Sequence, residues 1–317
     1  MLTEAQNFAV VQTQLDDVFY QNFEYDSTFP SIATAQTGAI FKPLQTTHAA
    51  YIEQIFKGSY LFPVVGEIQT IPQSTPQVAN QLTTYIKDFA SSIEVSKNFI
   101  DDNMHGVWGK AVADFAMVAR VTQDQNAFLF FNNAFTTSLT ADGIAFIGTH
   151  TLLNGQTQSN QLKIAQTGTA TTALDPTTLY AAIVMMRQQK NQAGVILGNS
   201  PSVLLVPSKL YKHAIEITDS ALIADSANNN INVYRSAYGM TVYSSPWLDA
   251  TAGGSDTAWF LLARNHSVTR LVRQGIETSL RDWTYSNNRT YLYQANFREA
   301  VYAPDYAGAI GALGETT

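Results

Sequence analysis

The sequence predicts an α+β protein built from one long helix, a compact mixed unit and a set of long strands. Apolar residues recur with a period near 3.6 over residues 100–135, without a proline, as in a long amphipathic helix. Residues 177–265 alternate between short strands and helices, which is typical of a compact α/β or α+β unit. Residues 267–310 contain strand-like runs around a polar turn at 286–288, which indicates long antiparallel strands.

The helix over residues 100–135 is the longest predicted element. Asp101 and Asp102 stand at its start and suit the positive end of a helix. At 1.5 Å per residue it would reach ~50 Å, longer than a compact domain usually needs, so we expect a spine that other elements cross. A polar patch over residues 122–126 leaves a second interpretation open, in which two ordinary helices are broken near Thr122.

Residues 1–22 form a second amphipathic segment, whose apolar positions are Phe8, Val11, Leu15, Val18 and Phe19. Two interpretations are open for this segment. It is either a terminal arm that binds another subunit or a helix docked on its own core.

Residues 60–95 are expected to form a long two-stranded excursion. Residues 60–67 are the predicted outgoing strand and residues 85–95 the returning strand. The tip between them, residues 68–76, contains two prolines among small polar residues. An excursion of this size is expected to cover another part of the protein or to reach a neighbouring molecule.

The mixed unit is predicted in order along the chain. Helices are expected at 177–192 and 208–217, and strands at 202–206, 240–244 and 259–263. A further short buried strand is expected at 144–147, after the tight-turn pair Asp142-Gly143. Asn228, Asn229, Asn230 and Asn232 mark a loop between the second helix and the next strand.

Composition excludes several classes of protein. Only 14% of the 317 residues are charged, against about 25% in typical domains. A surface so poor in charge favours packing against copies of the same chain. The net charge of −7 gives no basic footprint for reading nucleic-acid sequence. The absence of cysteine excludes disulfides, thiolate metal sites and a cysteine nucleophile. We expect no signal peptide and no transmembrane helix.

A search for catalytic chemistry finds no candidate. The five histidines, which are His48, His105, His150, His213 and His266, lack metal-ligand spacing. The sequence contains no G-x-S-x-G, Walker A or G-x-G-x-x-G motif. We therefore predict no catalytic residue, no cofactor and no metal, and a protein that is not an enzyme.

The order of several short motifs resembles the major capsid proteins of tailed bacteriophages, in particular Mu-like major head subunits. The first motif comprises Asp142, Gly143, Phe146, Gly148, Thr149, His150 and the loop 155–160. The second comprises Met185, Met186, Gln189 and Gly194, and the third Pro201, Leu204, Leu205, Val206, Pro207, Leu210 and Ala214. Asn230, Asn232, Val242, Pro246, Leu248 and the run 259–262 follow. No motif is specific alone, but their order and spacing extend over roughly residues 95–300.

The resemblance implies the Hong-Kong-97-type capsid fold. On this reading residues 1–57 are an N-terminal arm and residues 58–98 an extended β-hairpin loop. Residues 99–176 form a peripheral domain with the spine helix, residues 177–265 an α/β axial domain, and residues 266–317 the return strands of the peripheral domain.

The same resemblance implies a structural protein of the virion. Copies would form hexamers and pentamers that close into an icosahedral shell around double-stranded DNA, without sequence-specific binding and without a membrane. The matching features begin soon after Met1, so a scaffolding protein is expected to be separate, and a portal and decoration proteins are further expected partners. Assembly is expected in the host bacterial cytoplasm. Some relatives cross-link covalently through a lysine in the extended loop. This chemistry is not expected here, because Lys87 and Lys97 lie on the returning part of the loop and no lysine lies at its tip.

Two groups of residues are the predicted contacts between subunits. They are the loop tip, Pro72, Gln73, Ser74, Thr75 and Pro76, and the axial loop, Asn228, Asn229 and Asn230. Each group has the alternative of being a free surface loop. Two other functions remain open: an encapsulin-like bacterial nanocompartment, and a soluble enzyme with an unrecognised site.

Overall fold

We analysed a computed structural model of the chain. It describes residues 4–23, 33–56, 58, 61–65, 67, 70–71, 73, 77–98, 105–220, 232–282 and 289–315. The described helices are α1 (Glu4–Phe23), α2 (His105–Asn132), α3 (Ile164–Thr167), α4 (Pro176–Arg187), α5 (Tyr211–Thr218) and α6 (Val233–Ala237). The first strands are β1 (Lys42–Gln45), β2 (Ala50–Phe56), β3 (Val78–Tyr85), β4 (Lys87–Ser96), β5 (Thr149–Thr151) and β6 (Thr157–Ser159). The later strands are β7 (Pro201–Val206), β8 (Thr241–Ser244), β9 (Trp259–Ala263), β10 (Thr269–Arg281), β11 (Thr290–Tyr302) and β12 (Ala309–Ala312).

Two four-stranded sheets organise these elements. The first has the order β1-β10-β11-β4, with β1 parallel to β10 and the other pairs antiparallel. The second has the order β12-β9-β7-β8, in which only β7 and β8 are parallel. Strands β2 and β3 form a separate two-stranded hairpin, as do β5 and β6. The α+β class is confirmed.

Helix α2 is continuous, so the spine interpretation is confirmed and the broken-helix alternative is wrong. The hydroxyl of Thr122 donates to the carbonyl of Val118 at 2.8 Å, so this polar side chain is satisfied within the helix. At 1.5 Å per residue, 28 residues extend ~42 Å. Its C-terminal half lies in the main core, where Phe128 and Phe131 are fully buried between the two sheets. Asp101 and Asp102 lie outside the described residues.

Helix α1 docks on its own chain. Leu15 and Phe19 are buried in a cluster with Phe115 of α2 and Tyr293 of β11. Phe19 and Tyr293 meet with their ring centroids 6.1 Å apart. Of the two interpretations for this segment, the structure supports the helix docked on its own core.

Asp16 of α1, which is partly buried, adds hydrogen bonds to this contact. Its Oδ1 accepts hydrogen bonds from the hydroxyl of Tyr293 at 2.8 Å and from that of Thr278 at 2.7 Å. Replacing Asp16 with alanine leaves the buried Tyr293 hydroxyl without its acceptor, so the free energy of unfolding should fall by about 1–3 kcal/mol. Urea denaturation measures this fall. The Asp17→Ala variant is the control, since Asp17 is exposed on the same helix, and an equal loss in both variants would contradict the assignment.

The hairpin of β2 and β3 begins before the range 58–98 given to the extended loop, and both of its strands were placed wrongly. The outgoing strand is β2, residues 50–56, whereas residues 61–65 are irregular. In β2 the side chains alternate, and Tyr51, Glu53 and Ile55 lie on one face. The run around Pro63 is a poor strand, because proline has no backbone N–H to donate to a neighbouring strand.

The returning strand is β3 rather than residues 85–95. Strand β4 follows after Ile86 and pairs with β11 in unbroken register from Lys87 to Ser96. Phe89 and Phe297 stack in this pair, with centroids 4.8 Å apart. The predicted strand at 144–147 is also wrong: the segment is a buried loop that forms one bridge, from Ala145 to Leu139.

The mixed unit folds close to its prediction. Strand β7 and strand β9 are buried at the centre of the second sheet. Helix α4 is capped by Asp175, whose carboxylate accepts from the amide of Thr178, and buries Leu179, Ile183 and Met186. The predicted helix at 208–217 is a 3-10 turn followed by α5.

Candidate assembly surface

The hairpin of β2 and β3 is fixed to the body of its own chain at two places, the inner face of β2 and Gly58, which follows β2. The hydroxyl of Tyr302 at the end of β11 donates to Glu53 Oε2 at 2.6 Å, and the Tyr51 and Tyr302 rings lie 6.0 Å apart. Gly58, with a φ of 79°, lies so close to the amide of Asn191 that a Cβ there would approach it to 2.9 Å. One face of the hairpin therefore contacts its own chain.

The outer face of the hairpin carries apolar side chains without an intramolecular cover. Phe56 and Val78 are cross-strand partners on this face, and Ile52 and Tyr85 share it. All four are at least 49% exposed. A two-stranded hairpin is marginal in water by itself, so these residues indicate a surface that is covered by something else.

The irregular run after β2 is exposed further still. Leu61, Phe62 and Val64 are 76%, 95% and 100% exposed. Among the described residues, nine of the 18 large apolar side chains with high exposure lie between Ile52 and Tyr85. This concentration identifies the hairpin and the run as an apolar interaction surface rather than scattered surface residues.

A groove lies between the base of the hairpin and the C-terminal half of α2. We call it the helix–hairpin groove; its volume is about 400 Å³. Its lining includes Leu82, Tyr85, Lys87, Leu129, Leu139 and Tyr302. Leu129 and Leu139 are 43% and 48% exposed, so part of the groove wall is apolar, whereas Asn126, Asn133, Thr137 and Ser138 make the rest of it polar.

Residues 33–41, the N-terminal strap, connect the two sheets. The amide of Ala33 donates to the carbonyl of Ser244 in β8 at 2.8 Å, whereas the strap continues directly into β1 of the other sheet. Ile40 and Phe41 are buried in the main core. The strap thereby helps to fix the orientation of one sheet against the other.

Buried charged side chains form hydrogen bonds to the N-terminal strap. Nε and Nη2 of Arg270 donate to Oε2 of Glu299 at 2.9 and 2.6 Å, and Nη1 donates to the side chain of Gln36 at 3.1 Å. The amide of Ala35 donates to Asp124 Oδ1 at 2.8 Å. Burial raises the pKa of both Glu299 and Asp124, although Arg270 opposes the shift at each carboxylate.

His266 provides a further bond to the strap. Its Nε2 lies 3.1 Å from the carbonyl of Ala39, and its Nδ1 accepts from the amide of Val268 at 3.2 Å. These partners require a neutral ring with the proton on Nε2. Burial lowers the pKa of His266 to about 4, and the nearby charge of Lys42 acts in the same direction.

The motif around Asp142 is structural. His150 is fully buried, its Nδ1 lies 2.7 Å from Asp142 Oδ2, and its ring stacks on Tyr306 at 4.0 Å. Burial opposes ionisation of Asp142, but the bonds from His150 and Thr140 outweigh it and lower the pKa of this carboxyl. Because His150 is closed to solvent, this pair holds the loop and has no access to a substrate.

Asn160 closes the same loop. Its side-chain oxygen accepts from the amide of Gly148 at 2.8 Å, and its Nδ2 donates to the carbonyl of Phe146 at 2.7 Å. The residues that carry the resemblance in this region therefore stabilise a loop conformation and do not form a catalytic site.

Most of the predicted contact residues lie outside the described residues. These are Pro72, Ser74, Thr75, Pro76, Asn228, Asn229 and Asn230. Gln73 is described and exposed. The sequence analysis did not predict Ile52, Phe56 and the run 61–65 as exposed apolar residues of an interaction surface. The run 61–65 is apolar and uncharged and does not alternate with polar residues, and this pattern could have indicated such a surface.

The described part of the chain contains no group of three His, Cys, Asp or Glu residues that could hold a metal ion. In the same residues, no helix combines the length and apolar character needed to cross a bilayer.

The model of the phage capsid protein family matches residues 79–311, which is more than half of the chain. The chain belongs to the phage capsid protein family. The predictions of a Hong-Kong-97-type fold and of a tailed-phage major capsid protein, a component of the icosahedral bacteriophage head, are confirmed. This capsid protein is thus a self-assembling structural protein of the virion. None of the curated proteins matches its sequence.

Solved structures share the fold of this capsid protein at low identity. The capsid of Cyanophage P-SCSP1u matches with a TM-score of 0.58 and 12% identity, over 93% of this chain and 91% of its own. A Microbacterium phage Oxtober96 structure matches with a TM-score of 0.56 and 15% identity, over 92% and 95%. A virus-like particle from Pyrococcus furiosus matches with a TM-score of 0.53 and 8% identity, over 95% and 98%. Each of these matches shows a common fold alone, and an encapsulin-like bacterial compartment is not better supported than a phage head.

Proposed function

We propose that this capsid protein forms hexamers and pentamers, and that the hairpin and the run 61–65 bind neighbouring copies in them. The observation that carries the proposal is the concentration of exposed apolar side chains on one projecting hairpin. Covering these residues in an assembly removes apolar surface from water, the dominant favourable term in most protein association.

The proposed domains have their boundaries at 58, 99, 177 and 266. Helix α2 with β10 and β11 belongs to the peripheral domain, whose sheet is completed by β1 from the arm and β4 from the extended loop. Strands β7, β8 and β9 with α4 and α5 belong to the axial domain, and β12, which follows the last boundary, returns to the edge of their sheet. We also propose Pro72, Gln73, Ser74, Thr75 and Pro76 as contacts between copies, because the described neighbours Ile71 and Gln73 are exposed. Asn228, Asn229 and Asn230 precede Asn232, which caps α6, and we propose them as axial contacts.

Further partners are part of the proposal. The shell encloses double-stranded DNA without reading its sequence, in keeping with a net charge of −7. A separate scaffolding protein, a portal and decoration proteins complete the head, which assembles in the host cytoplasm. Decoration has a structural precedent in a capsid of bacteriophage JBD30 with minor capsid protein trimers, which matches at a TM-score of 0.53 and 15% identity.

The Phe62→Asp variant tests the proposal. Phe62 is 95% exposed in the single chain, so the substitution should leave folding unchanged by circular dichroism. Losing the burial of one phenylalanine costs about 1.5–3 kcal/mol per contact, which weakens each contact by roughly 10- to 140-fold. Sedimentation velocity and negative-stain electron microscopy should then show rings or shells for the unchanged protein and mainly free subunits for the variant.

The Phe62→Leu variant is the matched control, because it keeps an apolar side chain and should assemble. Normal assembly of Phe62→Asp at the same protein concentrations would refute the role given to this surface.

A further inference from the structure

A cavity of about 160 Å³ lies between the end of helix α2 and the second sheet. We call it the aromatic cavity. Phe131 of α2, Phe260 of β9 and Leu248 line it and are all buried, so they form its inner wall. Phe135 also lines the cavity but is only half-buried, and Thr136 beside it is exposed, which places the opening at these two residues.

Two positions in the wall of the aromatic cavity have little or no side chain. Ala258 is buried and contributes one methyl group. Gly254 cannot carry a side chain, because a Cβ there would lie 2.1 Å from the carbonyl oxygen of Leu248. Protein interiors contain few voids larger than a water molecule, and the atoms that line such a void lack packing partners on one side. An occupant would supply those contacts.

The loop that closes the cavity is held in place without an occupant. The Oδ1 of Asp249 accepts a hydrogen bond from the amide of Ser208 at 2.7 Å. The Nδ2 of Asn132, at the end of α2, donates to the carbonyl of Trp247 at 2.9 Å. Because the wall is already ordered, binding costs little conformational entropy.

The interior of the aromatic cavity is apolar and uncharged. Its described lining residues include no Asp, Glu, Lys, Arg or His. The hydroxyl oxygen of Ser255 accepts from the amides of Thr257 and Ala258 at 3.3 Å each, so it is used within its own loop. The Oδ1 of Asn132 is closed to solvent beside Gly254. A charged ligand would lose its hydration here without gaining a partner, so the cavity selects against charge.

We propose that the aromatic cavity binds a compact, uncharged aromatic molecule with a single ring. The rings of Phe131 and Phe260 lie 5.1 Å apart at 56°, and those of Phe135 and Phe260 lie 5.6 Å apart at 35°. Such inclined rings present both faces and edges, the geometry in which a further aromatic ring packs favourably. An apolar cavity of about 150 Å³ lined by Leu, Ile and Phe stays dry and binds benzene, and the aromatic cavity is similar in size and lining.

The occupant joins two parts of the subunit, because it contacts α2 on one side and β9 with its preceding loop on the other. A ligand that binds only the folded chain stabilises it by mass action. At ten times its dissociation constant, the ligand should raise the melting temperature of the subunit by about 2–4 °C. The cavity is thus a site through which a small molecule stabilises the packing of the long helix on the second sheet.

Titration of the full chain with fluorobenzene, followed by fluorine NMR, tests the proposal. The protein is kept as free subunits, and each variant is checked for folding by circular dichroism. Ala258→Leu fills the cavity from inside and Thr136→Leu narrows its mouth, so both should weaken binding by roughly ten-fold or more. Thr137→Leu is the matched control, since Thr137 is the next exposed residue and does not line the cavity, and it should bind like the unchanged protein.

A charged probe provides the second reading. The unchanged protein should bind fluorobenzene but not 4-fluorobenzoate, whose carboxylate finds no partner in the cavity. If Ala258→Leu does not fold, Thr136→Leu at the exposed mouth gives the same comparison. No binding to the unchanged protein, equal binding to all variants, or equal binding of the two probes would overturn the assignment.

The state of assembly separates this inference from the proposed function. Binding that free subunits show and assembled particles lack would assign the cavity to a side chain of a neighbouring copy and overturn the small-molecule site. A protein that binds fluorobenzene in the cavity but never assembles would support this inference and contradict the proposed function.

Discussion

Replacing Arg270 with alanine is expected to lower the free energy of unfolding of this capsid protein by about 3–5 kcal/mol, because it leaves Glu299 as an uncompensated buried charge. Glu299 is 1% and Arg270 8% exposed, so water cannot replace the lost partner. The substitution also removes the bond from Arg270 to Gln36 of the strap. Denaturant unfolding of the subunit, kept below the concentration at which it assembles, measures the change.

Arg298→Ala is the matched control. Arg298 pairs with Asp88 at 3.0 Å on the surface of the same sheet, and such exposed pairs contribute about 0–1 kcal/mol. Replacing Arg270 and Glu299 together by methionine and leucine should recover much of the stability, since an apolar pair avoids the cost of burying charge. A loss for Arg270→Ala no larger than for Arg298→Ala would show that the buried pair does not stabilise the fold.

The second large effect is loss of stability in mild acid through His266. Its pKa is about 4 in the fold, against an ordinary value of 6.5. Between these values the unfolded chain binds a proton that the folded chain does not, so stability is present above pH 6.5 and falls as the pH drops towards 4. The full loss is about 3 kcal/mol. Protonation removes the Nδ1 acceptor from Val268 and places a charge near Lys42, at the point where the strap is held.

Other buried acids cannot produce a loss in this pH range. Burial raises the pKa of Asp124, Glu299 and Asp305, so the folded chain takes up their protons more readily and acid favours it. Asp142 has a lowered pKa, and its contribution disappears only below its ordinary value of 3.8.

Unfolding free energies measured from pH 7.5 to 4.5 test this assignment. The His266→Gln variant should be less stable at pH 7.5 but should lose less on acidification, because its side chain does not titrate. His48→Gln is the control, since His48 is exposed and should keep the parent profile. A parent-like acid loss in His266→Gln would assign the titration to another group.

The hairpin shows how much of the proposed assembly surface can be predicted from the amino-acid sequence. The excursion itself was visible, because prolines and small polar residues at its tip exclude a core segment. The strands within it were misplaced, because the run 61–65 is apolar enough to read as a buried strand. Apolar composition alone cannot distinguish a residue buried in its own core from one buried against another copy.

The sequence by itself determined the long helix α2, the buried strands β7 and β9, the two long strands β10 and β11, and the order of motifs that identifies the family. These are local properties, since the period of apolar residues and the position of turns depend on neighbours along the chain. Only the tertiary structure decided that β4 joins β11, that Arg270 pairs with Glu299 across a buried sheet and that the strap connects the two sheets. Those contacts join residues distant in sequence, and their energies depend on burial, which no local pattern specifies.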